Sequence, residues 1–236
     1  AVTEESVGAW VQLDFVGSLG DVGVRGDVGV RYVTTDLTST GLVSGDPVTA
    51  KRDYSNTLPS QNLVFEITDD FLIRTSYADV MARPSLGNVT PGGSLDSFNG
   101  PPFPYNAGNP DLDPYEATNL DITLEWYFND DALLAFGWFD KDVDSFFLTS
   151  AQPLVLPYSQ SGLPANLPPA SSPLEVALSN GEDPLVEINR RLNGGNATVD
   201  GYEIIYQQTC SFLPGLWSNF GFTGNFAKVD SDEIIG

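Results

Sequence analysis

Hydrophobic and polar side chains alternate along much of this chain, and the alternation is cleanest over residues 115–140. Leu120, Ile122, Leu124, Trp126 and Phe128 fall on one parity, and Asn119, Asp121, Thr123 and Glu125 on the other. A period of two, with one apolar and one polar face, marks a strand lying between two media. Asn129-Asp130-Asp131 then makes a tight polar turn into a second apolar-rich strand. Whether protein or lipid covers the apolar face decides what such a strand is for.

The same parity test predicts about eight strands, over residues 7–17, 22–33, 52–67, 71–78, 117–128, 132–147, 198–208 and 217–230. The third is interrupted near Pro59. Arg25, Arg31 and Arg74 all fall on the polar parity of their strands. On a lipid-facing position at the membrane midplane each would cost about 2–4 kcal/mol. Short turns alternate with long polar or Pro-rich stretches at 35–50, 79–115 and 148–197. A soluble sandwich spaces its turns more evenly, about every 8–12 residues. Alternating tight turns and large loops suit an antiparallel up-and-down transmembrane β-barrel, with the long loops extracellular. Within the last stretch, LEVALSNGEDPLVEINRRL predicts two short helices with Pro173 and Pro184 in their first turns.

Composition narrows the chemistry. The chain has 236 residues and a formal net charge of -22, so it lacks the Lys/Arg excess needed to neutralise phosphates, and nucleic acid is excluded as a partner. Hydrophobic residues make up 41% of it, too many for an acidic disordered segment. There is no His, and Cys210 is the only cysteine. Ser-His-Asp and Cys-His catalysis, an internal disulfide and a Cys-based zinc site are therefore excluded within this chain. No cofactor, metal or catalytic residue is expected. The run Asp140-Lys141-Asp142-Val143-Asp144 lacks the Gly and Glu that a calcium loop requires at its sixth and twelfth positions. Asp121 and Glu125 could be spaced as a glycosidase pair. A polar barrel lumen accounts for them with less, so no enzyme is expected. The glycines at 20, 23, 26 and 29 suit a twisted barrel strand in which side chains would crowd.

Gly108-Asn109-Pro110-Asp111-Leu112-Asp113-Pro114-Tyr115-Glu116-Ala117-Thr118-Asn119 resembles the N-P-x-L-x-P-x-x-(A/S)-x-N signature of TonB-dependent outer-membrane receptors. The following strand, residues 120–128, is similar to that family's D-L-S-L-E-W-Y-F strand. Residues 24–41, 58–86, 139–147 and 199–226 resemble the branch rich in saccharide transporters. The resemblance implies an all-β fold: about eight strands of a larger barrel of about 22. It also implies an internal fragment, 1–236, with neither the plug domain nor the C-terminal closing strand, in the outer membrane of a Gram-negative bacterium. Expected partners are outer-membrane lipid, the TonB energy-coupling complex through the missing N-terminal region, and a small nutrient. A saccharide is expected ahead of a ferric chelate. The loops would capture it, with Phe98, Phe103, Tyr105 and Tyr158 stacking on sugar rings. Arg74, Asn119, Asp121, Glu125, Glu203 and Asn225 would line the lumen. The alternative is a soluble, secreted all-β carbohydrate-binding or adhesion domain, with Phe220, Phe222 and Phe226 buried between two sheets.

Overall fold

The computed structural model describes residues 1–43, 46–144, 147–149, 154–161, 163 and 168–234. In chain order the strands are β1 (Val2–Leu19), β2 (Val22–Val43), β3 (Asp46–Thr68), β4 (Phe71–Ala82), β5 (Gly93–Leu95), β6 (Phe103–Ala107), β7 (Tyr115–Asn129), β8 (Ala132–Asp144), β9 (Phe147–Thr149), β10 (Leu154–Pro157), β11 (Leu185–Asn193), β12 (Asn196–Thr209) and β13 (Gly221–Ile234). Helix α1 spans Pro173–Ser179. Eight strands pair antiparallel as a wall, in the order β1-β2-β3-β4-β7-β8-β12-β13. A smaller sheet, β10-β11-β6-β5, forms a cap with α1, and β9 pairs β11. No helix among the described residues is long and apolar enough to cross a membrane.

The wall strands run longer than the alternation alone predicts. β2 and β3 stay paired out to Val43 and Asp46, so the expected loop at 35–50 is a hairpin extension instead. Thr34, Thr35, Thr38, Thr40, Val48 and Thr49 are β-branched residues that favour strand over coil. Val33, Thr35, Leu37 and Ser39 are buried on one side of this extension. β3 runs through Pro59 without a break. Pro59 lies opposite Val30, and β3 meets β4 only from Ser60 onward. The proline therefore sits where one side of the strand has no ladder to complete. β8 stops at Asp144, and residues 145–146, inside the predicted 132–147 strand, lie outside the described residues. At the other end, Trp217 belongs to a single 3₁₀ turn, Gly215–Asn219, and β13 starts only at Gly221. Gly20, at φ +65°, makes the β1–β2 turn, and a Cβ on Gly26 would collide with the Asn62 carbonyl.

The register turns the alternation into a geometric statement. Followed upward from the tight turns, the last apolar residue on the apolar parity before the first charged one is Val7 in β1, Tyr32 in β2, Tyr77 in β4, Leu120 in β7, Trp138 in β8, Tyr202 in β12 and Phe226 in β13. Above them the same face turns polar and acidic, at Glu5, Asp36, Asp79, Asp140, Asp200 and Asp230. Val7 lies opposite Thr34. Followed rung by rung through Ile204, Phe136, Leu124, Ile73 and Phe65, Phe226 lies on the row of Val24. The edge of the apolar belt thus falls by ten positions across seven strand-to-strand steps. At about 3.3 Å per residue and about 4.8 Å between strands, the belt is level only if the strands tilt by about 45°. That is the tilt of strands in a barrel wall.

The cap has a core of its own. Phe103, Tyr105, Tyr158, Leu174 and Val186 pack together, flanked by Leu95, Leu163, Leu178 and Ile188. Burying each large side chain contributes about 1.5–3 kcal/mol. α1 forms where expected: Pro173 opens it, Ser172 Oγ accepts from Glu175 N at 3.2 Å, and Gly181, at φ +80°, ends it. The second expected helix is a strand instead, β11. Val186 and Ile188 alternate with Glu187 and Asn189, and pairing with β6 and β10 satisfies that period. The expected loops at 79–115 and 148–197 are accordingly not structureless. They carry β5 and β6, and β9, β10, α1 and β11, respectively.

Candidate functional site: the inner wall and its cap

The two faces of the wall carry different chemistry. On the apolar face aromatic rings form rows: Phe136, Tyr202 and Phe226 at centroid spacings of 6.1 Å, and Trp126, Phe128, Tyr206 and Phe222 at 5.3–6.2 Å. Phe222 and Phe226 are 62% and 57% exposed, as a lipid-facing side requires and a two-sheet core forbids.

On the other face polar groups pair across strands. Arg74 Nε donates to Glu125 Oε1 at 2.7 Å, and Tyr127 OH to Glu125 Oε2 at 2.9 Å. Ser76 OH donates to Asp121 at 3.4 Å and Asn62 Nδ2 to Asp27 at 3.1 Å, while Arg25 pairs with Glu66. Asn62, Arg74, Ser76, Asp121 and Thr123 line a shallow concavity of about 250 Å³. Arg74, Asp121 and Glu125 are thus brought together, with Asn119 on the same parity of β7. Glu203 lies on the row of Arg74 but three strands along, and Asn225 is one strand further. Glu125 is held by a guanidinium and a phenol, the arrangement of a polar lining. Half-exposed ion pairs contribute only about 0–1 kcal/mol, so their main effect is to set the charge of this surface.

Sequence reasoning placed Arg31 on the polar parity but did not name it, Trp10 or Gln12 as lining residues. With Gly29, Leu58 and Ser60 they line a larger concavity of about 480 Å³ higher on the same face. Parity could have found them, because Trp10 and Gln12 share a face and Trp10 lies opposite Arg31.

The signature segment joins wall to cap. Asn109 Oδ1 accepts from Asp111 N at 3.1 Å, which closes a turn, and its Nδ2 donates to the Arg191 carbonyl at 2.9 Å. Asp113 N donates to Asn193 Oδ1 at 2.8 Å, and Asn193 returns a bond to the Asp113 carbonyl at 3.2 Å. Leu112 is buried with Leu37 and Val89. Arg52 and Asn56 of β3 reach Asp113 and Glu116. The asparagine and leucine of the motif therefore fasten β11 and the β2–β3 hairpin to the root of β7.

Of the four aromatics expected to stack on sugars, three are cap core: Phe103 is 2% exposed, Tyr105 6% and Tyr158 4%. Burial raises the pKa of both tyrosines. Their faces pack against Leu174 and Val186 and offer no surface to a ligand. Phe98, 67% exposed on the loop after β5, keeps a free ring. Beside the core, Asp183 accepts from both the Ser159 backbone N–H at 2.9 Å and the Ser159 hydroxyl at 2.7 Å, which hold its pKa below the ordinary aspartate value.

Residues 2–234 match the family described as TonB dependent receptor-like, beta-barrel. No curated protein matches the sequence. Among solved structures, the chain is similar to the siderophore receptor PirA from Pseudomonas aeruginosa, with 14% identity and a TM-score of 0.55 over 98% of this chain and 44% of that one. It is similar to the FrpB iron transporter from Neisseria meningitidis, with 13% identity and a TM-score of 0.53 over 98% of this chain and 26% of that one. It is also similar to the ferric yersiniabactin uptake receptor FyuA from Yersinia pestis, with 16% identity and a TM-score of 0.52 over 99% of this chain and 28% of that one. The chain spans 26–44% of the length of these structures, and identity at this level shows the fold alone.

Proposed function

The chain belongs to the TonB-dependent receptor-like β-barrel family, and on that premise we propose that it forms part of the wall and mouth of a transporter that takes up a small nutrient. Membership implies the outer membrane of a Gram-negative bacterium, and a receptor or transport role rather than an enzymatic one. The observation that carries the reading is the slanted upper edge of the apolar belt. It fits strands tilted through a bilayer, with the paired polar groups of β2, β3, β4 and β7 facing the path. The short-turn end then lies in the periplasm and the cap outside the cell. Energy would come from the TonB complex.

For the cargo we propose an oligosaccharide first and a ferric chelate second. The saccharide reading rests on the resemblance of residues 24–41, 58–86, 139–147 and 199–226 to saccharide transporters, and on the free ring of Phe98. The chelate reading draws on the similar structures, which are an iron transporter, a siderophore receptor and a ferric yersiniabactin uptake receptor. The competing picture of a soluble binding or adhesion domain needs Phe220, Phe222 and Phe226 in a core, and all three are exposed.

Whole-cell uptake through the full-length protein, with and without the proton gradient, tests both levels. Energy-dependent uptake of an oligosaccharide is the expected result. Energy-dependent uptake of ferric chelates with no response to oligosaccharides would overturn the cargo and keep the transporter. A stable monomer without detergent would overturn the transporter.

A further inference from the structure

Four short connections close the lower end of the wall, and three are polar. Gly20-Asp21, Asp69-Asp70 and Asp130-Asp131 each place carboxylates at the tip. The fourth, between β12 and β13, is Cys210-Ser211-Phe212-Leu213-Pro214-Gly215-Leu216-Trp217-Ser218-Asn219-Phe220. It lies in a stretch, from Ile204 to Ala227, with no charged residue, in a chain that carries 32 acidic and 10 basic ones.

This connection does not bury its apolar groups. Leu216 is 81% exposed and Trp217 65%, and Phe212 and Phe220 are exposed as well. It is nevertheless ordered by its own bonds. Gly215, at φ +66°, starts the 3₁₀ turn, Ser218 Oγ donates to the Gly215 carbonyl at 2.7 Å, and Cys210 N donates to the Phe220 carbonyl at 2.8 Å. The direction it faces follows from parity. Phe220 has the parity of Phe222 and Phe226 on the lipid side, and the Trp217 ring lies 5.7 Å from that of Phe220. Through Phe222 the patch joins the row Tyr206, Phe128, Trp126 at the base of the belt. Leu216, Trp217, Asn219 and Phe220 surround a mostly apolar concavity.

We propose that the β12–β13 connection is an interfacial wedge: it lies in the lower phospholipid leaflet, with Phe212, Leu216, Trp217 and Phe220 among the upper acyl-chain carbons. Exposed tryptophan and leucine on a turn tied by the Cys210–Phe220, Leu213–Cys210 and Phe220–Trp217 backbone bonds suit that depth. The missing charge matters as much. A carboxylate at a position such as Leu216 would have to leave the hydrocarbon, and the other three turns, full of carboxylates, must stay in water. The inference rests on the transmembrane reading of the wall and adds a contact outside it.

The test uses the full-length receptor in phospholipid nanodiscs, as single-tryptophan variants with the remaining tryptophans changed to Phe. One retains Trp217, one retains Trp138 in the belt, and a third carries Asp130→Trp at a polar turn. Acyl-chain-brominated phosphatidylcholine should quench Trp217 as strongly as Trp138, while iodide in the buffer should quench only the tryptophan at 130. Quenching of Trp217 by iodide but not by brominated lipid, with Trp138 still quenched by lipid, would overturn the wedge alone. Protection of Trp217 from both quenchers would mean that protein covers the patch and would overturn it too. Loss of lipid quenching at Trp138 would instead sink the transmembrane reading. Should the Trp217 variant fail to fold, a spin label at Leu216→Cys in a Cys210→Ser background reads the same contact through its accessibility to oxygen against a water-soluble nickel chelate.

Discussion

In the wall, Phe222 and Phe226 leave their rings more than half exposed on the apolar face; in the cap, Phe103 and Tyr105 bury theirs. Both regions are built from strands that alternate apolar and polar residues. The wall is a single layer, so its apolar parity has nothing of this chain to pack on and runs as one belt across eight strands. The cap is two layers, since α1 and the turn carrying Tyr158 close over the small sheet. Alternation thus records that a strand separates two media, and the number of layers decides which medium takes the apolar side.

The sharpest way to break this comparison is in the cap. Phe103→Ala should cost the cap about 3–5 kcal/mol, because a nearly fully buried ring leaves a cavity behind. Limited proteolysis should then cut within residues 93–107 and 154–193 while the wall keeps its heat-resistant gel mobility. Collapse of both together would show that the cap and wall share one core.

On the wall the expected loss depends on face. Leu124→Arg, on the belt, should lose about 2–4 kcal/mol in equilibrium folding into lipid. Thr123→Arg, one residue away and facing inward, should lose far less. Equal losses would remove the distinction between faces. Where the two regions meet, Asn109→Ala strands the Arg191 carbonyl and should cost about 1–3 kcal/mol, read as faster hydrogen exchange in β11 with no change in β12. Glu125→Gln removes a charge from a part-buried pair but keeps an acceptor for Arg74, whose side chain is 42% exposed, and should change stability by only about 1 kcal/mol. Its effect should show in uptake of a charged cargo.

The smallest expected effect is a pH dependence within the cap. The Ser159 bonds hold Asp183 below its ordinary pKa, so its contribution to cap stability is present above the unfolded value and fades as pH falls through the lowered one. Asp183→Asn should therefore narrow the difference between neutral and strongly acidic solution in cap unfolding. A pH profile unchanged by the substitution would remove Asp183 from the account.

The eight wall strands were legible because the parity of residues such as Leu120 to Phe128 is local, and so were the arginines on the polar side. Strand lengths were less so. The Thr-rich extension of β2 looks like a loop until Leu37 finds Val89 and Leu112. β11 looked helical because VEINRR fits a helix as well as a strand, and only pairing with β6 and β10 decides between them. The aromatic residues of the cap misled for the same reason. Phe98 and Phe103 sit in similar Pro- and Asn-rich surroundings, and nothing nearby in sequence says that one will be covered by Leu174 and Val186.

By itself, then, the sequence determined which side chains share a face, where the tight turns fall, and that no His-based catalysis can occur within this chain. Those properties depend on neighbours two to four residues away. The tilt of the wall, the sealing of Phe103, Tyr105 and Tyr158, and the fastening of the cap through Asn109 were decided by tertiary structure. They rest on the register between strands and on contacts between residues as far apart as Asn109 and Arg191. Short-range alternation is indifferent to both, because shifting a strand by two residues keeps every side chain on its face while changing every partner it meets.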